Sequence, residues 1–505
     1  MTATVKKLLV GSAVLGLCAC DSVLTTSPES FIGSTRFYQT PAQIERAVIG
    51  AYSYLQTTYG GATTAPAWTI GEMRSDNTTY QYNASQRGSL NVENVDEFLT
   101  SADNATVQNM WTFSYQMVQQ TNVVLNRIGT VAYPDSAAKL QAIGEMRFLR
   151  AFAYFNLVRS FGAVPLLLQE VDSYAGAFTP TRTPVDSVYA QIIADVTDAI
   201  LRLPTKATLP PAQTGRATRG AAAMLLADVY MTRKRYADAI PLLQSVLGMG
   251  YALVTPYEKV FDPGSKNGPE SIFDVQYAEA VLGGSSSYLF RFIPFNSTNE
   301  LTFVSTDIAT GTGGWNIPTR SMLRAYEPND QRRPASIAWY VKRGNAAFTD
   351  VAVGDSIPFV RKFYHSYSTA GRTNDNFPVY RFAEAKLLLA EALNETGQTA
   401  AAYAHINDVR TRAGLPSVAP TLSQAAFRDT VAHEERVELA FEDKRWWQLL
   451  RTGLALSVMN AHGAEIKSYT VFRSGATYNV TQNSLLLPIP IRELTLNKFP
   501  QNPGD

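Results

Sequence analysis

The histidines are the first residues to test for metal or acid–base chemistry. The sequence has four, at positions 365, 405, 433 and 462, and none lies near another in the chain. Residues 433–436 read His-Glu-Glu-Arg, like the start of a zinc-protease helix, but the second histidine would fall at Val437. Without two imidazoles one helical turn apart, that zinc site cannot form. We therefore expect no metal ligands.

The glycine-rich runs also lack the spacing that catalysis needs. Residues 264–268 do not end in the Gly-Lys-Ser/Thr that cradles phosphates, and residues 311–314 do not open a helix after a strand. Residues 283–287 lack the Gly-x-Ser-x-Gly spacing of a nucleophile elbow. Two loop carboxylates are enough for a glycosidase and leave no motif, so that alternative stays open. We predict a binding protein without catalytic residues or cofactor.

Charge and composition narrow the classes of partner. Lys and Arg total 44 against 43 Asp and Glu, a formal net charge of +1. Nucleic-acid binding usually requires a basic excess that displaces counterions from phosphates. Hydrophobic residues make up 46% and charged residues 17% of the chain, which is typical of a folded globular protein. The sequence therefore predicts no nucleic-acid partner.

The N-terminus has the layout of a secretory signal. Two lysines precede an apolar run at residues 8–19, which is too short to span a bilayer and ends at Cys20. The residues before Cys20 resemble a lipobox, which predicts removal of residues 1–19, lipidation of Cys20 and a tether over 20–39. An ordinary signal peptide with an incidental cysteine is the alternative. Asp21 redirects lipoproteins to the inner membrane in some bacteria, so the final membrane stays open.

Apolar residues recur at helical spacing through most of the remaining chain. The pattern is lost at residues 57–109 and again at 250–378. In the second region Pro and Gly recur, and short alternating runs such as 271–277 and 359–364 resemble strands or extended loops. The predicted helices cover residues 40–56, 110–128, 140–161, 184–202, 215–248, 378–396, 399–413 and 423–451.

A weak internal repeat suggests the arrangement of these helices. Leu226 and Ala227 match Leu389 and Ala390 in a pattern that places alanine where two helices cross closely, as in tetratricopeptide helix pairs. An unrelated helical bundle is the alternative. We predict one mainly α domain over 40–505, a tetratricopeptide-like scaffold carrying a large loop-rich insertion with short strands. Its predicted parts are a scaffold at 40–56, 110–250 and 378–460, loop-rich binding regions at 57–109 and 251–377, and an extended tail at 461–505.

Several strings resemble the SusD/RagB family of nutrient-binding lipoproteins. Residues 145–155 read Glu-Met-Arg-Phe-Leu-Arg-Ala-Phe-Ala-Tyr-Phe, and residues 434–449 include Glu-Asp-Lys-Arg-Trp-Trp. Two departures from the family pattern are Gln448, where Asp is common, and Asp505, where an aromatic residue often follows Asn-Pro-Gly. The remaining matching strings are at residues 161–166, 487–490 and 501–504.

This resemblance implies a function beyond the scaffold. It implies an outer-membrane lipoprotein that faces the cell exterior, binds oligosaccharides and delivers them without catalysis to a TonB-dependent transporter. A peptide-binding uptake protein of the same type is the first alternative. A lipoprotein glycosidase, or a structural lid or peptide adaptor, is less favoured.

The charged residues inside the matching strings are better interpreted as architecture. Charged side chains in apolar helices persist mainly when they are paired. We therefore expect buried ion pairs at Arg147, Arg150, Glu438 and Arg445. Adjacent Trp446 and Trp447 point in different directions on a helix, so at least one should lie in the core.

The aromatic loops are the predicted ligand-binding surface. Sugars present C–H faces to flat rings and hydroxyls to amides, carboxylates and guanidinium groups. Residues 68–82 and 311–324 supply both kinds of group. Large aromatic residues also commonly fill a core, and Asp76 and Asn77 would also suit a turn or helix cap. The predicted ligand-binding residues are Trp68, Arg74, Asp76, Asn77, Tyr80, Tyr82, Trp315, Asn316 and Arg324.

Overall fold

The computed structural model describes most of the chain after the N-terminal segment. Cys20, the predicted signal and most of the predicted tether lie outside the described residues. Within the described residues, every helix is too short or too polar to cross a bilayer. The described residues are 37–61, 65–82, 89–171, 181–281, 283–295, 297–304, 313–341, 351–470, 473 and 475–504.

The helices of the first half begin where the local sequence predicts. Thr40 caps the first helix by accepting from the Gln43 N–H at 3.3 Å, and the Gln43 side chain accepts from the Thr40 N–H at 3.2 Å. A short π-helical turn at Thr69–Met73 follows the second helix. The helices are α1 (Pro41–Tyr59), α2 (Pro66–Trp68), α3 (Leu90–Asp96), α4 (Ala105–Arg127), α5 (Ser136–Phe161), α6 (Val185–Arg202), α7 (Arg219–Thr232) and α8 (Tyr236–Leu247).

The second half contains short helices in the insertion and long ones in the scaffold. Each long helix buries apolar residues against its neighbours. In chain order they are α9 (Tyr288–Phe292), α10 (Thr298–Leu301), α11 (Arg320–Ala325), α12 (Arg332–Ser336), α13 (Phe382–Glu395), α14 (Thr399–Arg412), α15 (Gln424–Glu438), α16 (Arg445–Thr452), α17 (Ala455–Tyr469) and α18 (Ile491–Leu496).

Two helix hairpins carry the predicted repeat. Helices α7 and α8 form one and α13 and α14 the other, and α13 begins 163 residues after α7, at Phe382 against Arg219. Ala227 and Ala390 occupy matching positions and are fully buried. Helix α8 packs directly against α13, so the two hairpins are neighbours in space although the insertion separates them in sequence. The predicted helix-pair scaffold is confirmed.

The insertion leaves and re-enters the scaffold through one pair of strands. The strands are β1 (Thr78–Thr79), β2 (Ser271–Val275), β3 (Ile317–Pro318), β4 (Ile337–Val341), β5 (Ser356–Val360) and β6 (Phe377–Arg381). β2 pairs antiparallel with β6, and the other two strand pairs, β1–β3 and β4–β5, are also antiparallel. Because β6 runs straight into α13, the β2–β6 pair closes the base of the insertion.

Some predicted boundaries differ from the structure. The predicted helices at 215–248 and 423–451 are each two helices, and residues 378–381 belong to β6 rather than to the following helix. Helix α1 continues to Tyr59 and so enters the predicted loop region. The predicted tail is only partly extended, because α17 reaches Tyr469 and α18 interrupts its end.

Buried ion pairs join neighbouring helices, as predicted. Arg150 of α5 donates to the Asp195 carboxylate of α6 at 2.7 and 2.8 Å. The more exposed Arg147 lies 3.0 Å from Asp198, also on α6. Trp446 of α16 is buried, which fits the expectation that at least one of the paired tryptophans lies in the core.

Glu438 of α15 is the centre of a larger buried cluster. Its carboxylate lies 2.5 Å from Arg412 of α14, 2.9 Å from Arg381 of β6 and 3.2 Å from Arg332 of α12. Burial raises the pKa of Glu438, but these guanidinium groups outweigh that effect and hold the pKa well below its ordinary value. Because Arg332 belongs to the insertion and Glu438 to the scaffold, the cluster fixes one to the other.

Candidate ligand-binding site

Two segments that are distant in the sequence meet at the β1–β3 pair. Just beyond the pair, the Gln81 N–H donates to the Gly314 carbonyl at 2.7 Å. This contact brings the end of the predicted loop at 68–82 beside the loop at 311–324, of which residues 311 and 312 lie outside the described residues. The end of the first loop and the described start of the second therefore form one surface.

Tyr82 and Trp315 carry the partly exposed rings of this surface, which we call the Tyr82–Trp315 patch. Trp315 lies over Tyr80, with ring centroids 5.9 Å apart and planes inclined by 34°. Tyr80 is buried. The Trp315 N–H donates to the Arg291 carbonyl at 3.0 Å, which ties the patch to helix α9.

Polar contacts hold Tyr80 in place beneath the patch. Its hydroxyl donates to the Glu97 carboxylate at 2.7 Å, and the Arg473 guanidinium lies 4.3 Å from its ring centroid. Arg473 also donates to Glu97 at 2.7 Å. Burial raises the pKa of the Tyr80 phenol well above its ordinary value, so the hydroxyl stays protonated. The Trp315 ring thus rests on an ordered base.

Asn316 follows Trp315 and is the least satisfied polar residue of the predicted set. It is buried, and neither its amide oxygen nor its amide nitrogen has a hydrogen-bond partner within the described protein. Its φ of 54° is left-handed, a conformation that asparagine tolerates better than most residues. A buried amide without partners is costly, and a hydroxyl-bearing molecule that reached it would relieve that cost.

Trp68 and Arg74 lie in the interior. Trp68 packs edge-on against Phe292, with ring centroids 5.5 Å apart. The Arg74 guanidinium lies 4.5 Å from the ring centroid of Phe98 and 5.1 Å from that of Trp446. Both predicted residues are almost completely buried, so in this conformation they offer no surface to a ligand.

Asp76 and Asn77 are also buried, and they hold helices α15 and α16. Asp76 lies 2.8 Å from Arg445 and 2.9 Å from Arg436. Burial raises the pKa of Asp76, but the two arginines outweigh this and hold the pKa below its ordinary value. Asn77 accepts from Arg436 at 2.8 Å and donates to Glu72 at 2.9 Å. These contacts show that Asp76 and Asn77 stabilise the packing of the helices in this conformation.

Arg324 is exposed, but at a different place. It lies on α11, and its guanidinium binds Glu465 of α17 at 2.7 Å. Of the nine predicted residues, Tyr82, Trp315 and Arg324 therefore have exposed surface, and Tyr80 and Asn316 lie directly beneath or beside the patch.

Sequence reasoning missed Gln81 and Gly314. The Gln81 side chain accepts from the Phe295 N–H at 2.8 Å and so joins the patch to a third segment. Gly314 has a φ of 88°, and a Cβ there would meet the Cβ atoms of Gln81 and Phe295 at 3.2 and 3.3 Å. The Gly313–Gly314 pair directly before Trp315 was the sequence signal for this close approach.

No group of three or more His, Cys, Asp or Glu that could hold a metal ion occurs among the described residues.

Comparison with known proteins assigns the chain to a family. A family model described as starch-binding and associating with the outer membrane matches residues 35–231, and the SusD family model matches residues 339–504. SusD-like protein P2 of Formosa agariphila is 28% identical over 97% of this chain and 98% of its own length. The chain belongs to the SusD/RagB family.

Solved structures share the SusD/RagB fold. A laminarin-binding SusD-like protein is 25% identical and matches with a TM-score of 0.76 over 93% of this chain and 100% of that protein. Surface glycan-binding protein A from Bacteroides thetaiotaomicron, in complex with laminarihexaose, is 21% identical, with a TM-score of 0.75 over 92% and 100%.

The SusD/RagB strings meet in space although they are distant in sequence. The Asn502 side chain donates to the Phe161 carbonyl at 3.2 Å and to the Leu487 carbonyl at 2.8 Å. The strings at residues 161–166, 487–490 and 501–504 are therefore in contact, and these hydrogen bonds hold the C-terminal tail against the end of α5.

Gln448 stands where aspartate is common in the SusD/RagB family, and its amide bonds to two neighbouring side chains. Its side-chain oxygen accepts from Arg445 at 2.6 Å, and its side-chain nitrogen donates to Glu435 at 2.8 Å. An aspartate could not donate to Glu435, so the amide serves two partners of opposite charge.

Proposed function

We propose that this protein is a non-catalytic outer-membrane lipoprotein that binds oligosaccharides at the Tyr82–Trp315 patch and delivers them to a TonB-dependent transporter. One observation carries the binding part: in a chain of the SusD/RagB family, the partly exposed ring of Trp315 lies over the ordered Tyr80, and the partly exposed Tyr82 belongs to the same surface. Flat rings that are held in place suit the C–H face of a pyranose.

The polar residues around the patch support a sugar rather than a purely apolar ligand. Asn316 has amide atoms without partners next to Trp315. An amide both donates and accepts, which matches the double role of a sugar hydroxyl. Because Asn316 is buried, this pairing requires the ligand to displace the residues that cover it.

The relatives support the same ligand class. The solved relative that binds laminarin and the one in complex with laminarihexaose share this fold. We propose a glucan-type oligosaccharide as the first ligand to test. The proposal includes no catalytic step, because the ligand is bound and transferred unchanged.

The membrane anchor and the transporter partner rest on different support. The apolar run at residues 8–19 and the small residue before Cys20 favour a lipid anchor. The description of the matching family model, associating with the outer membrane, supports that location. The transporter partner rests on the family resemblance, and copurification of a TonB-dependent barrel with the tagged lipoprotein would test it.

Calorimetry of the mature chain against laminarihexaose, other glycans and peptides tests the binding. Trp315→Ala should raise the dissociation constant at least about tenfold and leave the melting temperature unchanged, because a stacked ring at the centre of an interface contributes about 2 kcal/mol. The matched control is Tyr236→Ala, which removes a partly exposed ring from α8 of the scaffold and should bind like wild type.

Three outcomes would contradict the proposal. Unchanged binding by the Trp315 variant would show that the patch is not the binding site. Binding of peptides alone would show that the ligand is a peptide and not a glycan. Release of reducing sugar, abolished by replacing one Asp or Glu, would show a glycosidase instead.

A further inference from the structure

Two cavities adjoin at the junction of scaffold and insertion. The first, of about 130 Å³, lies between β2, β6 and residues 254–271. The second, of about 260 Å³, lies between α1, residues 214–216 and the end of β2. Asp274 of β2 lines both, whereas Tyr82 and Trp315 line neither.

Asp274 has an unsatisfied atom at this junction. The residue is 9% exposed, and its Oδ1 has no hydrogen-bond partner within the described protein. Leaving a buried acceptor without a donor is unfavourable. A molecule that donated a hydrogen bond to Asp274 from within the cavity would therefore gain from an acceptor that is already desolvated.

Three side-chain amides separate the two cavities. Gln276 and Asn267 exchange hydrogen bonds at 2.9 Å in each direction, and Asn376 donates to Gln276 at 3.0 Å. Gln276 lines the second cavity, and the two asparagines line the first. Gln276 is saturated, because its side-chain nitrogen also donates to the Asp274 carbonyl at 2.9 Å. Asn267 and Asn376 each keep further donor and acceptor capacity, so the wall next to Asp274 offers both.

The charges around the first cavity select a neutral occupant. Its charged lining residues balance, so neither a cation nor an anion is favoured; they are Lys259, Lys266 and Arg381 on the basic side and Asp262, Glu270 and Asp274 on the acidic side. The rest of the wall is largely apolar, with Phe261 and Pro269 among its residues. A neutral molecule with hydroxyl groups and C–H faces satisfies all of these conditions.

We propose that the first cavity is a second saccharide subsite that holds one neutral sugar ring, with Asp274 accepting a hydrogen bond from a ring hydroxyl. The volume of about 130 Å³ is slightly below the about 150 Å³ of a cavity that accommodates benzene, so the first cavity holds at most one six-membered ring. The ligand class rests on the proposed function, but the subsite shares no residue with the patch.

To test the subsite, crystals of the full mature chain are soaked with glucose, galactose, mannose or xylose. Binding of the same sugars is also measured in solution by saturation-transfer NMR. We expect a sugar ring in the first cavity with a hydroxyl on Asp274, and dissociation constants at least tenfold higher for Asp274→Ala. The Trp315→Ala variant should keep this binding, so failure of the patch and failure of the subsite give different results.

The pH dependence gives a second measurement. Burial raises the pKa of Asp274 to about 6; the Ser271 side chain, Lys206 and Arg381 act to lower it, and Glu442 acts to raise it. Above pH 6 the ionised carboxylate is the better acceptor, so sugar binding should strengthen severalfold between pH 5 and pH 7. Asp274→Asn should fold and lose that dependence, because its amide does not titrate.

Several results would overturn the subsite. Water alone in the first cavity of soaked crystals would do so, as would binding at crystal concentration only. Equal binding by wild type and Asp274→Ala would also exclude it, and binding of ethanolamine or acetate in place of the sugars would contradict the neutral ligand.

Discussion

The ring of Trp68 packs edge-on against Phe292 and is 1% exposed. Replacing it with alanine should therefore lower the free energy of unfolding by about 3–5 kcal/mol, because the change leaves a large cavity in the core. Urea denaturation measures this loss. The control is Arg324→Ala, which removes an exposed side chain and should change stability by less than about 1 kcal/mol.

Laminarihexaose binding separates the two roles of Trp68. If the Trp68 variant were as stable as wild type but bound poorly, the ring would belong to the ligand surface. Loss of stability with binding retained in the folded fraction is the result we expect.

The burial of Trp68 and Asp76 could not be predicted from their local sequence. Residues 68–82 are polar and lack helical spacing, which is typical of an exposed loop. The partner that buries Asp76 is Arg445, 369 residues later in the chain. Only the pairing of the segment with α15 and α16 shows why it is internal, whereas Trp315 could be predicted as a surface ring from its Gly-Gly neighbours.

At the scale of elements, Asp76 connects α15 and α16 to the segment that leads into β1. It binds Arg436 of α15 and Arg445 of α16 at once. Asp76→Ala should lower the free energy of unfolding by about 3 kcal/mol or more, because both guanidinium groups would lose the buried anion that pairs with them. Tyr80 and Tyr82 follow this segment, so laminarihexaose binding should weaken as well.

A double-mutant cycle of Asp76→Ala with Arg445→Ala measures the coupling. We expect the two losses to be clearly non-additive, with a coupling free energy of about 1–3 kcal/mol. The matched control cycle joins Arg324 and Glu465, which form an exposed pair at 2.7 Å and should couple by less than about 1 kcal/mol. Additive losses at Asp76 and Arg445 would contradict the proposed link.

Helices were more predictable than strands for a physical reason. Thr40 caps α1 and Pro41 is its first residue, and both act on their own helix, so the start of α1 can be deduced locally. Pro378 also resembles a helix start, but it lies in β6 opposite Asp274 of β2. Such a pairing depends on a partner about a hundred residues away and leaves little pattern in a five-residue strand.

At the scale of the whole molecule, the insertion is held at its base by β2–β6 and from within by the Glu438 cluster. Arg332 reaches Glu438 and Glu434 from the insertion, at 3.2 and 2.6 Å. Lys362, also in the insertion, lies 2.6 Å from Glu442. The sequence indicated that Glu438 would be paired, but its partners come from three elements that only the closed insertion brings together.

Removing the charge of Glu438 should therefore loosen both parts of the molecule. Glu438→Gln removes a negative charge that pairs with the buried guanidinium groups of Arg412, Arg381 and Arg332. It should therefore lower the free energy of unfolding by about 3–5 kcal/mol at pH 7. Hydrogen exchange should rise together in α12 of the insertion and α14 of the scaffold. Arg428→Gln, at an exposed pair with Glu395, should change neither.

The pH dependence of stability distinguishes this electrostatic link from simple packing. Because the folded pKa of Glu438 lies below its unfolded value, its contribution is present above about pH 4.5 and is lost as the pH falls through the folded pKa. Wild type should therefore lose more stability on acidification than Glu438→Gln, and the difference between them should shrink toward low pH. A constant difference from pH 7 to pH 3, with exchange raised only in α15, would mean that Glu438 acts by local packing and that the insertion is held by β2–β6 alone.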